Sequence, residues 1–368
     1  MTESLRAISS LGTSIWLDDL SRERLVPGGS ARSLQELIAR EFVVGVTTNP
    51  AIFSVAISKS PLYRDEIVAH SRSGESIEAI ITALTCDDVS AACEAFNGIH
   101  HQTSGVDGKV SIEVDPRFAR DTHATIIQAR ELWNRINLPN LLIKVPATKE
   151  GLPAIRTLIS EGISVNVTII FSVSRYKEVL DAYLVGLEDR VARGLPITDI
   201  HSVASFFVSR VDTEIDARLR RSGPHQGLEG KAALANARLA YKHFLEVHEA
   251  QRWQNLKKLG ALPQRPLWAS TGVKDPAYDP CMYVTELVAP ETVNTMPEAT
   301  LLAVRDSSGE IRDSMVSNFE KSQNLLDQLK EIGIDIEEIA TQLEAEGIEK
   351  FINPWLQLIE TVSKVAKG

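Results

Sequence analysis

The chain alternates between two polarity periods. Short runs rich in apolar and β-branched residues recur at 13–18, 43–48, 110–114, 140–145, 163–171, 202–207, 266–270 and 283–288. Between them, stretches such as 76–97, 118–135, 151–160, 174–192 and 228–259 carry apolar residues at helical spacing. Strands that alternate with helices specify βαβ units and a parallel sheet. Eight such strands are the number that closes, so the expected fold is α/β, a (β/α)8 barrel of the TIM-barrel class. The competing architecture, an open doubly wound sheet, would bring GxGxxG after the first strand, and that is absent. Gly227, Gly230 and Lys231 are too closely spaced for a P-loop. No composition shift divides the chain, so one domain over 1–368 is expected. From about Asp313 the pattern is helical throughout, in segments 314–333, 336–347 and 348–367. These read as the barrel's closing helix plus an appended helical extension. Residues 1–12 and 28–40 read as small helices around the first strand.

Polar residues break the apolar runs in a regular way. A strand has period two, so alternate residues share a face. Ser14, Trp16 and Asp18 share one, and so do Ser111 with Glu113, Leu142 with Lys144, and Ser164 with Asn166 and Thr168. The second run ends in Thr47-Thr48-Asn49-Pro50; the sixth places Ser205 with Phe207, and Arg210 follows. In a parallel barrel, active-site groups come from the C-terminal ends of the strands. An Asp, a Glu, a Lys and an Asn would thus meet in one lumen, where each needs a partner. Structural alternatives stand beside this. Lys144 could be half of an ion pair with Glu113 or Asp18, which is a weak reason to bury a charge. Asn166 and Thr168 could form an internal polar layer, Asp18 could cap a helix beginning near Ser21, and Phe207 could be core.

The functional alternative has definite chemistry. Lys144 is flanked by Leu141, Leu142, Ile143, Val145 and Pro146. An apolar setting disfavours the ammonium and makes the free amine accessible. An amine attacks a ketone to give an imine, an electron sink for making or breaking the adjacent C–C bond. Asp18 and Glu113 are carboxylates for the proton transfers. Asn166 can bind substrate hydroxyls, and Thr168 can hold a water beside Glu113.

Composition narrows the setting. The chain has 368 residues, 43% hydrophobic and 24% charged, with a formal net charge of −10, which fits a globular protein with a sizeable core. A nucleic-acid partner needs a basic patch; the cluster Arg252-Trp253 with Lys257-Lys258 reads as a solvated helix face. Cys86, Cys93 and Cys281 have no disulfide-framework spacing, and Cys86 and Cys93, seven apart, should face a helix's core side. The N-terminus lacks a signal-peptide pattern, and no run approaches 18 apolar residues, so a cytoplasmic protein with no membrane partner is expected. The sequon at Asn166-Val167-Thr168 is then accidental. His100, His101, His123 and His201 have no metal-ligand spacing, and neither metal nor cofactor is expected.

Five segments together carry a family resemblance: VTTNPA (46–51), VSIEVDPR (110–117), LLIKVPATKEG (141–151), VNVTIIFS (165–172) and SFFVSRVD (205–212). In order and spacing they resemble the transaldolase family, over about Ser14 to Glu298. The SIWLDDLSR start and the length resemble its longer bacterial form. The resemblance implies transfer of a dihydroxyacetone unit from sedoheptulose 7-phosphate to glyceraldehyde 3-phosphate, giving erythrose 4-phosphate and fructose 6-phosphate in the non-oxidative pentose phosphate pathway. It makes Lys144 the Schiff-base lysine and Glu113 the acid/base acting through a water that Thr168 helps to hold. It makes Asp18 the base for the hydroxyl at the cleaved bond. Asn49 and Asn166 become contacts for dihydroxyacetone hydroxyls, and Ser205 and Arg210 phosphate contacts, with Phe207 beside them. Where many relatives carry an arginine after the seventh strand, this chain reads Ala269-Ser270-Thr271-Gly272-Val273-Lys274. Lys274, with Ser270, is the candidate replacement. A lysine binds phosphate as a point charge and not as a fork. Relatives that act as fructose 6-phosphate aldolases use a tyrosine and lack the glutamate, so Glu113 and Phe207 favour the transferase. A silent sugar-phosphate-binding barrel is opposed by the intact Asp18, Glu113 and Lys144. The partners implied are small sugar phosphates; the oligomeric state is not legible.

Overall fold

A computed structural model describes residues 3–26, 28, 31–223 and 227–367. The parts of the expected N-terminal helices at 1–2 and 29–30 lie outside the described residues. Eight parallel strands close into a barrel in chain order: β1 (Thr13–Leu17), β2 (Val43–Val46), β3 (Lys109–Glu113), β4 (Leu141–Pro146), β5 (Val165–Ile170), β6 (Ser202–Phe207), β7 (Gln264–Ala269) and β8 (Thr292–Met296). The first seven lie where the polarity pattern puts them, with ends shifted by one or two residues in most cases.

The eighth does not. The run 283–288 is not a strand: it holds the short helix Met282–Thr285, and Tyr283, Val284, Leu287 and Val288 are buried. A short buried apolar run has no readable period, so strand and helix look alike there. Its residues are held from the barrel side. The Tyr283 hydroxyl donates to Asp212 at 2.7 Å, and the Trp268 indole donates to the Leu287 carbonyl at 3.0 Å. The true β8, TVNTM, is the more polar segment. Val293 and Thr295 are in register with Ser14 and Trp16 of β1 and face the lumen. Asn294 faces outward and donates to the Tyr283 carbonyl.

The helical C-terminus also differs from expectation. The helix that closes the barrel is Glu298–Asp306, directly after β8, so everything from Asp313 is additional. Segments 336–347 and 348–367 form one helix, Ile336–Ala366, which runs through Gly347 and Pro354. The stretch 228–259 is two helices, Ala232–Glu249 and Gln251–Lys258, separated where Ala250 is extended. Arg252 pairs with Glu188 and Asp181, Trp253 is buried, and Lys257 and Lys258 are exposed, so the basic cluster is a solvated helix face with a paired arginine. Cys86 and Cys93 are both buried on the helix Ile77–Gln102. Among the described residues no helix is long and apolar enough to cross a membrane.

Register fixes which residues share the lumen. Glu113 lies opposite Lys144, Lys144 opposite Asn166, and Val203 opposite Arg265. Trp16 also fills the lumen, and Gly45 lets it: a Cβ there would lie 2.6 Å from the indole.

Candidate active site

The upper, C-terminal mouth is built by the ends of β1 to β6. On neighbouring strands, Lys144 Nζ is 3.2 Å from Glu113 Oε2, with both side chains at most 5% exposed. Nζ also donates to the Thr48 carbonyl at 3.1 Å. The ion pair that competes with a catalytic reading of Lys144 is therefore present. It is an ionic contact and not an aligned hydrogen bond, and neither Glu113 oxygen has a hydrogen-bond partner among the described residues. Burial pushes the Glu113 carboxyl above the usual carboxylate range, and Lys144 opposes the shift. Asp18, just past β1, is raised for the same reason, against Lys144 and a 2.6 Å hydrogen bond from Thr47. Asp18 is not a helix cap; Ser21 holds that position for Arg22–Leu25. Two carboxylates held by burial toward the protonated form, beside a lysine, are groups placed for proton transfer.

The next strands supply polar groups that are linked to one another. Asn166 donates to Ser111 at 2.9 Å and accepts from Ser205 at 2.7 Å, so the internal polar layer is real and fixes the amide's orientation. Thr168 is fully buried, and its hydroxyl has no partner among the described residues. Directly after it Ile169 adopts φ +55°, and the β5–β6 register shifts between Val167 and Ile170. A β-branched residue in that region is strained, at roughly 1–3 kcal/mol. The bulge ends the alternation that the sequence displays and faces Ile169 toward Gly347 of the C-terminal helix.

The rim is assembled from loops. The Asn49 side chain accepts from the Ile52 amide at 3.0 Å and caps the helix Pro50–Lys59, a structural task not expected of it. It still lines, with Asp18, Asp19 and Arg24, a cleft of about 530 Å³. Phe207 is buried 5.3 Å from the Phe171 ring, and the Arg210 guanidinium lies 5.2 Å over it. Burial lowers the Arg210 pKa, with Glu346, Asp18 and Glu113 opposing, so its charge faces the site's carboxylates. Its Nη1 has no partner among the described residues. The Ser270 hydroxyl lies 3.0 Å from that of Ser209. Lys274 is exposed, and shares with Ser209 a separate groove of about 280 Å³ that also holds Asp212 and Asp216. The structure thus gathers Asp18, Glu113, Lys144, Asn166, Thr168, Ser205, Phe207 and Arg210, and leaves Lys274 on the periphery.

Sequence reasoning missed the roof. Phe351, on the C-terminal helix, places its ring centroid 5.5 Å from Lys144 Nζ and 6.0 Å from the Arg210 guanidinium. Leu343, Gly347 and Phe351 recur at helical spacing, which signals a buried stripe but not what it covers. Among the described residues no group of three or more His, Cys, Asp or Glu is placed to hold a metal ion.

Fold and site together define a parallel (β/α)8 barrel with a lysine–carboxylate centre at its strand ends. Residues 15–362 match the family model described as Transaldolase/Fructose-6-phosphate aldolase, and the chain belongs to that family. It is 53% identical to a protein named transaldolase from Mycobacterium tuberculosis strain H37Rv, covering 97% of this chain and 95% of the relative. It is 52% identical to the transaldolase of Mycolicibacterium paratuberculosis, covering 98% and 96%, and 50% identical to transaldolase 2 of Streptomyces coelicolor, covering 100% and 98%.

Proposed function

We propose that this chain is a transaldolase that moves a dihydroxyacetone unit between sugar phosphates through an imine on Lys144. The observation that carries the reading is Lys144 beside Glu113 at the strand ends, in a chain about half identical over its length to proteins named transaldolase. The Lys144 amine adds to the ketose C2 carbonyl, and Glu113 supplies the proton with which hydroxide leaves as water. Asp18 takes the proton of the C4 hydroxyl. The C3–C4 bond then breaks, its electrons pass into the imine, and the aldose departs. The enamine adds to the aldehyde of the acceptor, Asp18 returns its proton, and water releases the ketose. The side-chain oxygens of Glu113 and Thr168, without hydrogen-bond partners among the described residues, support a water shared between them. Asn166, held by Ser111 and Ser205, offers its amide to the three-carbon unit, and Asn49 is assigned to the same unit. Arg210, Ser205, Ser270 and Lys274 supply the phosphate rim, and Phe207 and Phe351 wall off solvent.

Borohydride reduction with fructose 6-phosphate should leave a covalent adduct on the peptide carrying Lys144. An adduct on another peptide, or turnover persisting in Lys144→Ala, overturns the mechanism. Release of free dihydroxyacetone in preference to erythrose 4-phosphate formation would assign the chain to aldolase chemistry instead.

A further inference from the structure

The lower, N-terminal mouth of the barrel opens into a second cavity of about 450 Å³, lined by Ser14, Lys109, Leu142, His201, Val203 and Arg265 among others. These are lumen-facing residues at the starts of the strands whose ends build the active site. Glu113 lies four positions after Lys109 along β3, or about 13 Å, so the two sites are distinct. Lys109 is 2% exposed, and its ammonium has neither a hydrogen bond nor an ion pair among the described residues. Arg265 is 8% exposed. Its Nη atoms donate to Ser14, to the Thr292 and Val106 carbonyls and to Asp107, while its Nε has no partner among the described residues.

An unpartnered buried donor is costly, and an unpartnered buried cation more so. Here two cationic side chains line one cavity, and among the described residues the Lys109 ammonium and the Arg265 Nε are left without a partner. Asp107 is held by Arg265 at 3.1 Å, and neither Asp199 nor Glu291 makes an ion pair with Lys109. The adjacent imidazoles add no acceptor charge: burial and Lys109 lower the pKa values of both His201 and His100. The complement of such a set is a group that only accepts and carries negative charge. Leu142 and Val203 give apolar walls to a space larger than a bare oxyanion needs.

We propose that the lower mouth binds a metabolite-sized molecule through its oxyanion, a phosphate or a carboxylate, seated on Lys109 and Arg265. Inorganic phosphate and malonate, titrated by calorimetry into the full chain, test it. Each variant's fold is checked by circular dichroism. At least one anion should bind wild type and Lys144→Met with the same Kd, and about tenfold or more weaker to Lys109→Met. Lys109→Arg, which keeps the charge, should retain binding. Tighter phosphate binding identifies a phosphate-bearing ligand, and tighter malonate binding a carboxylate; either supports the site. Should Lys109→Met fail to fold, the wild type still decides: the same anion should protect Lys109 from acetylation in peptide mapping. Unchanged binding in Lys109→Met, binding lost only in Lys144→Met, or no saturable binding and no protection with either anion overturns the proposal.

Discussion

The two mouths of this barrel contain the same ingredient, a lysine on the inner face of a strand, in opposite electrostatic company. At the upper mouth Lys144 lies 3.2 Å from Glu113, and Asp18 is close enough to feel its charge. At the lower mouth Lys109 has no ion pair among the described residues, and its buried neighbour Arg265 is also a cation. The strands are shared, and so is the inward face, so the backbone does not make the difference. The counter-charge does. A lysine given internal carboxylates keeps acid and base groups within reach of a reacting atom. A lysine denied them must shed its proton or take a partner from solution. Burial lowers the Lys109 pKa to about 7, with Cys93, Asp107 and Asp199 only partly opposing.

The sharpest way to break this contrast is to remove each lysine in turn. Lys144→Met should lower kcat by about 10³-fold or more, since it removes the proposed nucleophile. Lys109→Met should leave kcat within about threefold, since the upper mouth retains its groups. Steady-state assays with both variants check this. Comparable losses would mean that the two mouths act as one site.

A second test uses stability. The folded Lys109 amine titrates near 7 against an ordinary 10.5. Between those values the unfolded chain holds a proton that the folded chain has lost, so wild-type stability rises with pH across that window. Below about 7 both states are protonated and the full burial penalty is present. Lys109→Met should therefore be more stable than wild type at pH 6, by a few kcal/mol at most, and the gap should close toward pH 10. Denaturant unfolding at several pH values measures it. A gap that does not change with pH would mean that Lys109 is solvated or paired in the folded chain.

The sequence makes the upper mouth far more legible than the lower, for physical reasons. Ser111, Lys144, Asn166 and Ser205 stand out because period two puts them on one face inside otherwise apolar strands. Lys109 and Arg265 lie at the very starts of β3 and β7, where a charged residue is indistinguishable from the loop before it. Strands drawn as 110–114 and 266–270 cut both away. The eighth strand was obscured by a more apolar neighbour, 283–288, whose burial comes from packing on the barrel's outside. The turn at Ile169 is invisible because nothing in Thr168-Ile169-Ile170 marks a left-handed residue. Phe351 reaches Lys144 only through the docking of the C-terminal helix, which no local pattern encodes.

That roof has a smaller predicted effect. Phe351→Ala opens space beside Lys144 Nζ and Arg210 without removing a reacting group. KM should rise and kcat fall, with kcat/KM down by about tenfold, through admitted water and looser positioning. Solvent access is read independently by the rate of hydrolytic side reaction on the proposed imine, which should increase. An unchanged kcat/KM would make Phe351 a packing residue only.

The smallest effect belongs to the rim. Arg210 is buried against Phe207 and faces both carboxylates, whereas Lys274 is exposed and forms no ion pair among the described residues. A solvated point charge interacts weakly and is screened by salt. Lys274→Ala should therefore raise KM for fructose 6-phosphate only about threefold, less at high ionic strength, and leave KM for unphosphorylated fructose unchanged. Equal effects on both sugars would remove Lys274 from the phosphate rim. The phosphate would then fall to Arg210, whose Nη1 has no partner among the described residues.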